Sequence, residues 1–134
     1  MKVILDTNIL FVSLSEHSSH HIIFKSLMQG KYTLLLSNDI LEEYLEVVAR
    51  KMDSETSENL SETLTHLASV EKIEVYYKWR LISSDVDDNK FVDAAIAGNA
   101  DYLVTEDKDF NEVKSISFPK VQVISLKEFK TLII

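Results

Sequence analysis

Val3-Ile4-Leu5, followed by Asp6-Thr7-Asn8, decides the fold: three successive apolar residues stop at a polar tip, the pattern of a strand buried on both faces. The signature returns along the chain. Tyr32–Leu36 ends at Ser37-Asn38-Asp39, Tyr102-Leu103-Val104 ends at Thr105, and Ile73–Tyr77 and Val121–Ile124 read as two further strands. Helical spacing fills the intervals. Ser18 or Ser19 caps a helix that turns Ile22, Ile23, Leu27 and Met28 inward and stops at Gly30. Ser37-Asn38-Asp39 caps a second with Ile40, Leu41, Tyr44, Leu45 and Val48 on one face, and Ser54 opens a third carrying Leu60, Leu64, Leu67 and Ala68. Asp87 or Asp88 caps a fourth with Phe91, Val92, Ala95 and Ile96 inward, closed by Gly98-Asn99, and Ser125-Leu126-Lys127-Glu128 is a capping box for a last one. Strands alternating with helices predict βαβ units: an α/β chain, a three-layer sandwich around a mostly parallel sheet of about five strands. In such sheets ligands bind outside the carboxyl ends of the strands.

With 134 residues the chain makes one domain, residues 1–134. No Cys means no disulfide framework, thiol nucleophile or zinc ribbon, and with only Gly30 and Gly98 there is neither a phosphate-cradling loop nor a dinucleotide fingerprint. The apolar start Met1–Leu14 is broken by Asp6 and Asn8, and no run approaches the roughly 20 apolar residues of a membrane span, so the expected location is the cytoplasm. Fourteen Lys and Arg stand against 22 Asp and Glu, a net charge of −8 that gives no general attraction to nucleic acid or anionic lipid. From Asp85 to Asp109 there are eight acids and two lysines, a density that asks for a cation.

Asp6 ends the first strand and Asp107 lies just past the Tyr102–Thr105 strand, while Asp88 heads one helix and Glu43 lies a turn into another. These four carboxylates fall at the same edge of the sheet. A set of Asp and Glu without His or Cys selects Mg2+ or Mn2+ over zinc, and such ions serve phosphodiester hydrolysis by activating water. Each residue also has a plainer role: Asp88 suits a helix cap, Glu43 a solvated helix position, and Asp107 and Asp109 a strand end. Asp6 is harder to explain away, because an acid at the end of a buried strand is desolvated unless something pairs with it. His17, His20 and His21 suit a polar helix entry better than a zinc site lacking a fourth ligand. Tyr76-Tyr77-Lys78-Trp79-Arg80 mixes aromatic faces with positive charge, as single-stranded RNA binding wants and as strand-edge packing also explains.

Asp6-Thr7-Asn8, Leu41-Glu42-Glu43-Tyr44, Asp87-Asp88-Asn89-Lys90-Phe91 through Ala95, and Ala100-Asp101-Tyr102-Leu103-Val104-Thr105-Glu106-Asp107-Lys108-Asp109-Phe110 together resemble a PIN domain. The likeness covers nearly the whole chain and is strongest to small prokaryotic PIN proteins, VapC-type ribonuclease relatives regarded as toxins of toxin–antitoxin pairs. It implies a ribonuclease that uses one or two Mg2+ or Mn2+ ions on an RNA substrate, is restrained by a small antitoxin protein, and forms a homodimer. By position, the family's four metal-holding catalytic acids fall on Asp6, Glu43, Asp88 and Asp107, with support from Asn8 and Thr105; Asp109 assists or replaces Asp107, and Asp93 is a further supporting acid. Glu106 departs from the pattern, since many relatives carry a small or neutral residue there. The alternative reading is a PIN-like module that binds RNA or protein without cutting.

Overall fold

Val3, Ile4 and Leu5 are each fully buried, which successive strand residues achieve only when both faces of the sheet are covered. The computed structural model describes residues 1–134. Its strands are β1 (Lys2–Leu5), β2 (Thr33–Leu36), β3 (Val70–Lys72), β4 (Tyr102–Val104) and β5 (Val123–Ile124). They form one sheet in the order β3-β2-β1-β4-β5. Every pair is parallel, with Val3 opposite Leu34 on one side and Tyr102 on the other, so the sheet is wholly rather than mostly parallel.

The helices are α1 (Thr7–Ser13), α2 (His21–Met28), α3 (Asn38–Lys51), α4 (Ser54–His66), α5 (Asn89–Ala97), α6 (Asn111–Lys114) and α7 (Leu126–Leu132), with short 3-10 turns at Val86–Asp88 and Lys108–Phe110. None is long and apolar enough to cross a membrane. Ser37 caps α3 by accepting the Ile40 N–H, and Ser125 with Glu128 forms the expected capping box of α7. At Gly98, a Cβ would lie 2.7 Å from Leu35 Cδ1, so the missing side chain lets the end of α5 sit on β2.

Three local expectations are corrected, and one helix, α1, is an element the sequence reading does not contain. The third strand is Val70–Lys72, not Ile73–Tyr77: its partner β2 ends at Leu36, whose carbonyl accepts the Ile73 N–H as the last ladder bond, and beyond it no backbone is left to pair with. Residues 73–82 instead run as an irregular strap. Helix α1 follows β1 directly, although Thr7-Asn8-Ile9-Leu10-Phe11-Val12 is rich in the branched and aromatic residues that favour strands. Burial of Ile9 and Leu10 decides for the helix. Helix α2 is preceded by His20 rather than capped by a serine, because Ser18 Oγ accepts the His20 N–H in a turn ahead of it (3.1 Å), and its Met28 is half exposed rather than inward. Asp88 precedes α5 but makes no capping bond; Asp85 caps the 3-10 turn before it.

Candidate functional site

β1 and β4 are neighbours whose connections leave toward opposite ends of the sheet, so the crevice beyond their carboxyl ends is the switch point at which ligands settle in parallel sheets. Asp6 and Thr105 occupy those two strand ends. The Thr105 hydroxyl donates to Asp6 Oδ2 at 2.7 Å and accepts the Asp107 N–H at 3.0 Å, tying both acids to one buried side chain. Burial raises the Asp6 pKa, the Thr105 hydroxyl and the Thr7 N–H oppose the rise, and the carboxylates of Asp107 and Glu43 add to it.

Asp88 is the one acid of the chain with a buried side-chain oxygen, Oδ2, left without a hydrogen-bond partner, a state shared only by the hydroxyl of Ser26. Desolvation pushes the Asp88 pKa from 3.8 to about 7, helped by repulsion from Asp85, Asp107, Asp6 and Asp109. One carboxylate oxygen from each of Asp85, Asp88 and Asp109 lies within 4.8 Å of the others. A carboxyl group stripped of water beside other acids is costly on its own, and a hard cation with oxygen ligands would satisfy it. The donor set therefore fits Mg2+ or Mn2+. Asp85 is a member that the sequence leaves hidden, since it stands in an irregular segment with no periodicity to place it.

Glu43 is held differently. The Thr7 hydroxyl donates to its Oε2, and the Lys90 ammonium meets its Oε1 at 2.8 Å. Lys90 also reaches Asp87 at 3.2 Å, and both Lys90 and Glu43 are about four-fifths buried at the side chain. Burial alone would lower the Lys90 pKa, but its bonds to Glu43 and Asp87 outweigh that and raise it. Next to Glu43, the buried Tyr44 hydroxyl donates to the Leu5 carbonyl, fixing α3 against the end of β1. Lys90 and Tyr44 were absent from the sequence-derived set; the i, i+3 spacing of Asp87 and Lys90 is the one signal that could have drawn attention to the lysine.

Of the remaining expected residues, Asp107 stays with the acids while Asn8, Asp93 and the histidines lie apart from them. Asp107 Oδ1 accepts the Asp109 N–H at 2.9 Å, so it both begins the 3-10 turn and faces Asp6. Asn8 is exposed on α1 and makes no side-chain hydrogen bond. Asp93 is buried and accepts the Trp79 N–H at 3.0 Å, serving the strap rather than the acid group. Glu106 accepts the Leu126 N–H at 2.8 Å, which spends the extra acid on the start of α7. The three histidines do not converge: His21 Nδ1 faces the Ser13 carbonyl at 2.9 Å and His20 Nδ1 faces Lys130 Nζ at 3.3 Å.

Fold and site thus define an α/β protein with a carboxylate group at the carboxyl edge of a parallel sheet. A family model described as PIN domain matches residues 2–109, and the chain belongs to the PIN domain family. Solved structures share its fold at low identity. A VapBC2 structure from Rickettsia felis, bound to a DNA fragment from its promoter, is 22% identical with a TM-score of 0.63, covering 93% of this chain and 98% of the other. DNA-bound VapBC from Salmonella typhimurium is 14% identical with a TM-score of 0.57 over 94% and 98% of the two chains. VapBC-1 from nontypeable Haemophilus influenzae is 19% identical with a TM-score of 0.58 over 95% and 99%. The comparison with curated proteins gives no match.

Proposed function

We propose that this chain is a ribonuclease that depends on Mg2+ or Mn2+ and acts as the toxin of a toxin–antitoxin pair. The observation that carries the proposal is Asp88, which buries its Oδ2 without a partner, has a carboxylate oxygen close to those of Asp85 and Asp109, and is raised in pKa by desolvation first and by the acids around it second. Asp6, Asp88 and Asp107 would hold one or two ions, with Asp85 and Asp109 beside them and Glu43 completing the set when Lys90 yields it. A bound divalent ion supplies an acidified water and neutralises charge on the phosphate under attack. The protein's own part is positional. Thr105 orients Asp6 and Asp107 through one hydroxyl, Tyr44 locks the helix that carries Glu43, and Lys90 holds that side chain in place beside the crevice. No protein nucleophile is needed, in keeping with a chain without cysteine.

Support for the toxin role comes from the family and from neighbours that are themselves VapBC complexes; an antitoxin partner, a homodimer and a cytoplasmic location follow from the same reading. The test is cleavage of a mixed single-stranded and structured RNA pool by wild type and Asp88→Asn, with manganese, magnesium and then chelator. Metal-dependent cutting lost in the variant is expected. A folded wild type that cuts nothing in either metal would overturn the proposal and leave a module that binds without cutting.

A further inference from the structure

The strap 73–82 forms one wall of a cleft of about 910 Å³ at the start of α3, and Lys90 in its lining joins it to the site through Glu43 at 2.8 Å. Few of its lining residues are apolar. Lys78 and Arg80 line it from the strap, and neither makes an ion pair. Of the acids lining the same space, only Asp87 is paired with a cation, Lys90; Asp93 and Glu74 accept hydrogen bonds from the neutral Trp79 N–H and Tyr76 hydroxyl, and Asp39 has neither kind of partner.

The backbone that presents these cations is deliberately held. Asp93 takes the Trp79 N–H at 3.0 Å, and the Asn89 side chain exchanges two 2.9 Å hydrogen bonds with Ile82, so two residues of α5 pin the strap on either side of Arg80. Between the pins Arg80 adopts φ 56°, a left-handed conformation that glycine takes at less cost. An arginine kept where its backbone is strained indicates that the side chain is what the position uses.

We propose that this cleft is the track of a single RNA strand, with Lys78 and Arg80 gripping backbone phosphates next to the one that is cut. The inference rests on the ribonuclease reading and assigns the residues that determine substrate grip. The lining holds four acids against three cations, so the cleft has no bulk pull on a polyanion; what it offers is two point contacts, Lys78 and Arg80 free of ion pairs, and a polar wall that favours a phosphate backbone over an apolar peptide. Tyr77 and Trp79 pack edge to face against each other, with ring centroids 4.7 Å apart, and are not part of the cleft wall.

The experiment compares wild type, Lys78→Ala, Arg80→Gly and the double variant in manganese, reading kcat and KM on a single-stranded RNA across a salt series and the melting temperature of each protein. Each single change should raise KM by about tenfold with kcat held, as expected for one lost phosphate contact. The double variant should flatten the log–log salt dependence by about 1.4. Arg80→Gly should keep or raise the melting temperature, since it relieves the strained φ, and a purely structural arginine would not couple a stable fold to a weaker KM. An unchanged KM and salt slope in a folded double variant would overturn the proposal while leaving the ribonuclease intact. Should wild type cut nothing, the ribonuclease reading fails, and the same RNA followed by fluorescence anisotropy then decides the cleft separately: binding weakened in the variants keeps it as an RNA track, and equal or absent binding in all four proteins overturns it.

Discussion

The two halves of the acidic edge solve the same electrostatic problem in opposite ways. On the α3 side, Glu43 has both oxygens occupied, by the Thr7 hydroxyl and the Lys90 ammonium, and its charge is balanced within the protein. On the other side, Asp88 has a buried oxygen with no partner and Asp85 and Asp109 for neighbours. A buried pair is complete by itself, whereas an unpaired acid group gains most from something brought from outside. The difference locates where a cation does most for the chain, and it marks Lys90 as the internal stand-in for positive charge.

The largest effect expected from breaking that contrast is on Asp88. Asp88→Asn should abolish metal-dependent cleavage and at the same time stabilise the metal-free protein near neutral pH. The sign follows from linkage: Asp88 titrates near 7 in the native chain against 3.8 ordinarily, so between those values the native state holds a proton that the unfolded state has released. Stability of the metal-free protein therefore falls as pH rises through that window. Urea unfolding of wild type and variant at pH 4.5 and 7.5 checks it, with the variant losing less stability between the two.

Next in size is Lys90→Met, which keeps the stem and removes the charge. Leaving Glu43 buried beside the crevice without its counter-ion should cost about 2–3 kcal/mol by denaturant unfolding, with manganese restoring more stability to this variant than to wild type. In wild type itself, manganese at about 100 times its dissociation constant should add about 2.7 kcal/mol, seen as a raised melting temperature that chelator reverses. Thr105→Val should cost about 1–2 kcal/mol and reduce cleavage, because Asp6 loses its donor and the Asp107 N–H its acceptor. Smallest is Glu106→Gln: a few tenths of a kcal/mol at the start of α7 and no change in metal response.

How far the sequence reveals this arrangement depends on what each residue answers to. Strand ends are announced by the change from apolar to polar, so the positions of Asp6, Thr105 and Asp107 on one edge are legible from Val3-Ile4-Leu5 and Tyr102-Leu103-Val104 alone. The head of α5 is equally plain. The strap is not, because whether Ile73–Tyr77 pairs as a strand is decided by where β2 ends, a tertiary fact that β propensity does not carry. α1 is hidden for the same reason, its branched residues favouring a strand while burial of Ile9 and Leu10 makes a helix. Within the site, charge type is readable and partnership is not: Lys90 as the counter-ion of Glu43, Asp85 as a neighbour of Asp88, and Glu106 as a contact of α7 all depend on side chains brought together across 20 residues or more or on an irregular loop.

The most direct test of the central claim is calorimetric titration of Mn2+ into wild type and Asp88→Asn at pH 6.5, repeated in two buffers of different ionisation enthalpy so that proton release is counted. A cation taken up by the unpaired acids should displace the proton that Asp88 carries at that pH, giving tight binding with proton release in wild type and weakened binding without that release in the variant. Equal affinity and equal proton release in the two proteins would contradict the account.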